Sequence, residues 1–368
     1  NPIFSCATLV GDVLSIGTKE DGFFTTLLST ASTFENITPI GPSRNNVFAL
    51  QVSSSSLWAV YGGYSGTYNP YAYNNSGPNS YGISKFSEAG WLTIPYDKVL
   101  GAKSLSRITV NPNNENQVFI SSFYSGVLKL ENDVPIKLYN AQNTGANGLK
   151  SILGQPSDDV RVNGAVFDKS GNLWLNNSLI NDGFKVLKSN GEWKSYLLDA
   201  VLDNSVNASM GRMIIDKNGT KWWGTNTDGL IAYNESIDKF KKISFGPDKG
   251  NLPVTDVRAL AVDARQQLWI GTTKGLRILS NVGSYQTEDI LTTNPILIIE
   301  DNLAQELLFE QFITDIVVDG ANNKWIGTAD SGIFLVSPNG QEIKYHFTIN
   351  NSPLPSNAIN DIDSNSAT

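Results

Sequence analysis

The chain has 368 residues, 40% of them apolar, and carries 32 Gly, 15 Pro, 8 Trp, 13 Tyr and 16 Phe but only 2 Met, a composition that favours β structure and is ample for a packed core. A net charge of −8, with no basic run denser than Lys239, Lys241 and Lys242, excludes the electrostatic footprint of a nucleic-acid binder. One cysteine, Cys6, and one histidine, His346, exclude an internal disulfide, a multi-cysteine zinc site and a histidine-rich metal centre, and no apolar run approaches the eighteen or so residues of a membrane span.

In chain order, the sequence writes one phrase seven times. The full form, W-x-G-T, stands at Trp222, Trp269 and Trp325; weaker copies place Ser15 of LSIGT, Trp58 of LWAVY, Phe119 of VFISS and Trp174 of LWLNN in the same slot. The spacings are 43, 61, 55, 48, 47 and 56 residues, the period of a four-stranded propeller blade with loops of varying length. Within a copy the period is 2: an apolar strand such as VRALAVD, from Val257, a polar turn, then the W-x-G-T strand. Asp168, Asp216, Asp263 and Asp319 open those turns, where an aspartate bonds its own backbone and closes a hairpin. A third strand starts at Gly229, Gly275 or Gly332, and a fourth is amphipathic, as in EWKSYLL from Glu192 and EIKYHFT from Glu342. Such sheets bury both faces only by stacking on one another, with Trp58, Trp174, Trp222, Trp269 and Trp325 wedged between neighbours. The expected fold is therefore all-β, a seven-bladed β-propeller of four-stranded antiparallel blades spanning 1–356. Residues 357–368 contain AINDID, from Ala358, which either lends a strand to the N-terminal blade or opens a further blade of a larger protein from which this piece is cut.

The pattern I-x-x-I-x-x-D-x-x-G-x-x-W-I-G-T-x-x-G-L over Val257 to Leu279 and Ile313 to Val336 resembles the two-component regulator propeller repeat. Tyr68 to Leu105, GLKSI and NNSPLPSNAINDID from Asn350 resemble the propeller region of PorZ-type proteins of Bacteroidetes, associated with type IX secretion. That resemblance implies a non-enzymatic, extracytoplasmic protein of the periplasm, outer membrane or cell surface, whose partner is an envelope glycan, lipopolysaccharide or a secretion-machinery protein. The other household of the repeat implies the alternative, the periplasmic ligand-sensing propeller of a hybrid sensor kinase.

No residue set here assembles an enzyme, and no cofactor or metal is implied. His346 reads as an outer-strand residue, Cys6 as a small buried hydrophobe, and the four aspartates as turn caps, because an acid repeated in every blade is a structural device. The candidate binding element is the insertion after Trp58. Six tyrosines, Tyr61, Tyr64, Tyr68, Tyr71, Tyr73 and Tyr81, lie there among Asn and Gly, a mixture suited to stacking on sugar or peptide. Longer joins at Asn140 to Asp159 and Tyr285 to Gln311 read as loops that shape a face.

Overall fold

The computed structural model describes residues 3–19, 22–30, 33–37, 40–63, 78–152, 159–300 and 302–365; of Glu300 the backbone alone is described. These form antiparallel meanders in chain order: six four-stranded sheets, one of three strands and one two-stranded hairpin. The seventh sheet shows the plan, with strands Ile313–Val318, Lys324–Thr328, Ile333–Val336 and Ile343–Phe347. All seven W-x-G-T slots fall on the second strand of a sheet.

Six sheets stack side by side through their first strands. Ala49–Val52 neighbours Leu105–Asn111, which neighbours Val162–Phe167, and the series continues through Met210–Ile215 and Val257–Val262 to Ile313–Val318. Glycine makes the close approach possible. A Cβ on Gly224 would stand 2.4 Å from the Val257 carbonyl oxygen of the next sheet, and one on Gly271 would stand 2.5 Å from Ile313 Cγ2.

Trp58, Trp174, Trp222 and Trp269 are buried at 1% exposure or less, as the stacking plan requires. Each of the last four sheets repeats one device. The turn aspartate takes two backbone N–H groups on Oδ1 and the indole N–H, six residues on, on Oδ2: Trp174 donates to Asp168 at 2.8 Å, Trp222 to Asp216 at 3.0 Å, Trp269 to Asp263 at 3.3 Å and Trp325 to Asp319 at 3.2 Å. Asp168 Oδ1, for example, accepts from the backbone of Ser170 and Asn172. Burial alone would raise these acids; the hydrogen bonds outweigh it and hold Asp168, Asp263 and Asp319 below the usual carboxylate range.

Three expectations are corrected. The sixth sheet has three strands, because after Gly275–Leu279 the chain turns through a short helix, Ser284–Thr287, whose Tyr285 packs edge-on against Trp222. A single bridge, Ile278 to Asn294, stands where the fourth strand was expected. The join read as a loop carries a hairpin, Leu297–Glu300 with Leu303–Glu306. Cys6 is exposed rather than buried, because every residue of its strand, Phe4–Val10, faces solvent: the first sheet lacks the face-to-face cover the others share.

Residues 358–363 run between the seventh sheet and the second. Ile359 N–H donates to the Thr328 carbonyl at 2.9 Å, Leu50 N–H to Asp361 Oδ2 at 2.7 Å and Val52 N–H to Asp363 Oδ2 at 2.6 Å.

Asp263 also holds the fully buried Lys324 ammonium of the next sheet, at 2.8 Å. Asp263→Ala is therefore expected to cost about 3–5 kcal/mol, the figure for stranding a buried charge, whereas Asp168→Ala, which strands neutral donors, costs about 1–3 kcal/mol. Paired urea melts check the ranking; equal losses would contradict the cross-sheet role.

Candidate functional site

The stacked first strands enclose an axial cavity of about 450 Å³ lined by Gln51, Arg107, Thr109, Glu115 and Arg212, among others. Irregular pairing places one of its charges, Arg212. Between Met210 and Met213 the register slips, leaving Gly211 and Arg212 out of the ladder, and the same slip between Val257 and Ala259 releases Arg258. Arg107 pairs with Asp361 of the tail, and Arg212 Nη1 lies 3.8 Å from Asp315 and 3.9 Å from Asp361. Asp315 Oδ2 accepts the Ile362 N–H at 3.0 Å, so tail and sheets share one ionic floor.

The face on which these first strands begin, here the upper face, carries a second set. Arg161 grips Asp159 with Nε and Nη2 at 2.9 and 3.1 Å and lies over Phe123 at 5.6 Å. Arg258 grips Asp256 at 2.5 and 2.7 Å and lies over Phe312 at 5.5 Å. The tyrosine insertion leaves the ring from the same face: Asn79, on its return, exchanges hydrogen bonds with Ser104, just before the third sheet. Two further cations sit on rings there, Arg44 over Tyr81 at 4.0 Å and Lys103 over Tyr124 at 5.7 Å, all four residues half-buried.

Of the six candidate tyrosines, Tyr81 lies on this face, whereas Tyr61 is buried at 2% exposure and is not offered to a ligand. Its hydroxyl meets no hydrogen-bond partner among the described residues. Tyr64, Tyr68, Tyr71 and Tyr73 lie outside the described residues. The turn aspartates are at the opposite, lower ends of the first strands and their carboxylates are committed to indole and backbone donors. His346 is an exposed strand residue, Nε2 lying 2.6 Å from the Ser331 carbonyl, with its ring stacked on Phe334 at 4.0 Å. Among the described residues no three His, Cys, Asp or Glu side chains are grouped to hold a metal ion. Sequence reasoning passed over the arginines, although D-x-R recurs as Asp159 to Arg161 and Asp256 to Arg258 at the head of a first strand.

No protein-family model and no curated protein matches the chain. Among solved structures, PorZ, a surface component of the type-IX secretion system of Porphyromonas gingivalis, superposes with a TM-score of 0.81 at 23% identity, over 96% of this chain and 49% of that one. The chain thus spans about half the length of PorZ. A streptogramin B lyase (TM-score 0.53, 13% identity, 88% of this chain and 89% of that one) and U3-55K (0.56, 10%, 89% and 88%) are similar as well. At these identities the likeness is one of fold, that of a β-propeller, and the resemblance read from the repeat holds at that level.

The ionic floor makes the molecule sensitive to pH. Burial pushes Asp315 up to about 7, with the Asp361 carboxylate adding to the shift and Arg212 opposing it; burial also raises Asp363. A folded-state pKa above the unfolded value means that the folded chain binds the extra proton. Stability from Asp315 is then full at low pH and is lost as pH rises from about 4 towards 7, at up to about 1.4 kcal/mol per pH unit. Asp315→Asn is expected to flatten that slope and to raise Tm at pH 8 relative to the parent; identical Tm profiles from pH 4 to 8 would refute the assignment.

Proposed function

We propose that this chain is a non-enzymatic recognition propeller of the bacterial cell envelope, a ring with seven blade positions whose upper face binds an anionic envelope glycan of the lipopolysaccharide class. The observation that carries the reading is the pairing of cations with aromatic rings beside the insertion, Arg44 on Tyr81 and Lys103 on Tyr124. A ring gives a sugar face something to stack on, and the adjacent cation neutralises a phosphate or carboxylate. The lower-face acids, by contrast, are consumed by their own hairpins.

An extracytoplasmic location fits the likeness to PorZ, and no helix among the described residues is long and apolar enough to cross a membrane. The same likeness favours a second reading, in which the upper face docks a protein of the secretion machinery. Both readings use the stacked cations, and they differ in whether a lipid-borne glycan is sufficient.

Vesicles containing lipopolysaccharide should retain the chain, and phosphatidylcholine vesicles should not. Replacing Arg44 and Lys103 together by Ala is expected to weaken binding about tenfold, the equivalent of about 1.4 kcal/mol. Equal retention on both vesicle types, or binding indifferent to the double substitution, would remove the glycan reading.

A further inference from the structure

Among the described residues, one blade position of the ring holds a single extended segment, residues 358–365, and little else. Where one sheet meets the next, the glycine of W-x-G-T backs onto the first residue of the following inner strand: Gly224 onto Val257 and Gly271 onto Ile313. A Cβ on Gly327 would meet Ile359 Cγ2 at 2.8 Å in the same way. The residues agree with the geometry, since Ile359 to Ile362 reads Ile-Asn-Asp-Ile where the seventh inner strand, from Ile313, reads Ile-Thr-Asp-Ile. Yet residues 358–365 form no ladder with a strand among the described residues.

Apolar side chains stand on both walls beside that segment, among Ser84 and Thr93 on the second sheet. On the seventh sheet the register puts Trp325, Ile333, Tyr345 and Phe347 on the side facing the tail, with the Trp325 and Phe347 rings stacked at 5.8 Å and Tyr345 62% exposed. Trp174, Trp222 and Trp269, in the same slot of sheets that have a successor, are buried; Trp325 is partly exposed. On the second sheet Leu57, Phe86 and Trp91 share the facing side, Phe86 being 44% exposed. An open cleft of about 770 Å³ runs from Leu57 and Phe86 to Asn365.

We infer that this position is a docking slot for three antiparallel strands of the same W-x-G-T repeat, which pair with the outward edge of residues 359–363 and complete a seventh blade. The chemistry of the occupant follows from the slot. It presents a small residue or Gly-Thr to the backbone of the second sheet, and an apolar or lysine side chain over Trp325, as Lys221 covers Trp174 at 4.0 Å and Lys324 covers Trp269 at 4.4 Å. The first sheet is not that occupant. It already owns an inner strand, Phe4–Val10, and would double the one the tail supplies, whereas each other position has one. The inference is independent of the ligand-binding reading, and either can fail alone.

The test extends the full chain after Asn365 with a copy of its own residues 319–347. Acrylamide quenching of Trp325, taken as the difference from a Trp325→Phe chain, should fall several-fold on extension while Tm rises, and Ile359→Asp in the extended chain should reverse both. A folded extension with unchanged quenching would overturn the proposal. Should the extension not fold, the unextended chain still decides: Trp325 should be readily quenched and Tyr345→Cys, in a Cys6→Ser background, should label at the rate of an exposed thiol. Protection of both, or a rise in Trp325 quenching when residues 3–37 are deleted, would show the slot already filled by the first sheet and end the proposal.

Discussion

The indole-to-aspartate hydrogen bond across the lower hairpin of each of the last four sheets is the contact on which this architecture rests. A tryptophan between two sheets contributes a large apolar area, but its N–H must find an acceptor in a place without water. The turn aspartate supplies one, and because its other oxygen already holds two backbone N–H groups, the carboxylate is fixed before the indole arrives. The cost of burying that charge is offset by four donors in the best case, and at Asp263 also by Lys324 reaching over from the following sheet. The fourth and sixth sheets are also tied to their successors by Lys221 and Lys324, which lie on Trp174 and Trp269.

Among the described residues, that device is confined to the last four sheets. The third sheet has Phe119 in the tryptophan slot, and Phe119 has no polar handle to anchor; it packs edge-on against Phe167 at 5.6 Å. The first sheet has Ser15 there, so nothing large is available to wedge into a neighbour, and its first strand stands exposed. Between the seventh and second sheets the joint is ionic. Asp361, Asp363 and Asp315 face Arg107 and Arg212, an arrangement that pays a desolvation penalty unless every lone pair is met. Backbone donors at Leu50, Val52 and Ile362 meet several of them.

The all-β class, the antiparallel strand order and the place of each tryptophan were legible in the residues because they depend on local rules: period 2, a turn acid, a glycine at each close approach. The aspartates' role followed from recurrence alone. What was not legible depends on contacts distant in sequence. Nothing near Cys6 says that its strand, Phe4–Val10, is exposed along its whole length. The fourth strand of the sixth sheet vanished for a similar reason: Tyr285 finds better burial beside Trp222 than a strand pairing would give it. Arg161 and Arg258 were visible as D-x-R but carried no signal of their own, because the rings they lie on, Phe123 and Phe312, are brought to them only by the stacking of sheets. Tyr61 was read as part of a binding loop; its position one residue beyond a buried strand settles it in the core instead.

A repeating scaffold confines function to what does not repeat. The lower face is spent on hairpins whose acids, amides and indoles satisfy one another, so variation there weakens the ring. The upper face is free of that duty: its joins differ in length from sheet to sheet, and its cations are held by aromatic rings and by acids two residues away rather than by the repeat. The proposed recognition uses the side where the sequence is least regular, and the same asymmetry explains why the fold can be shared with proteins as different as a surface component of a secretion system and a lyase while the shared residues say nothing of either task.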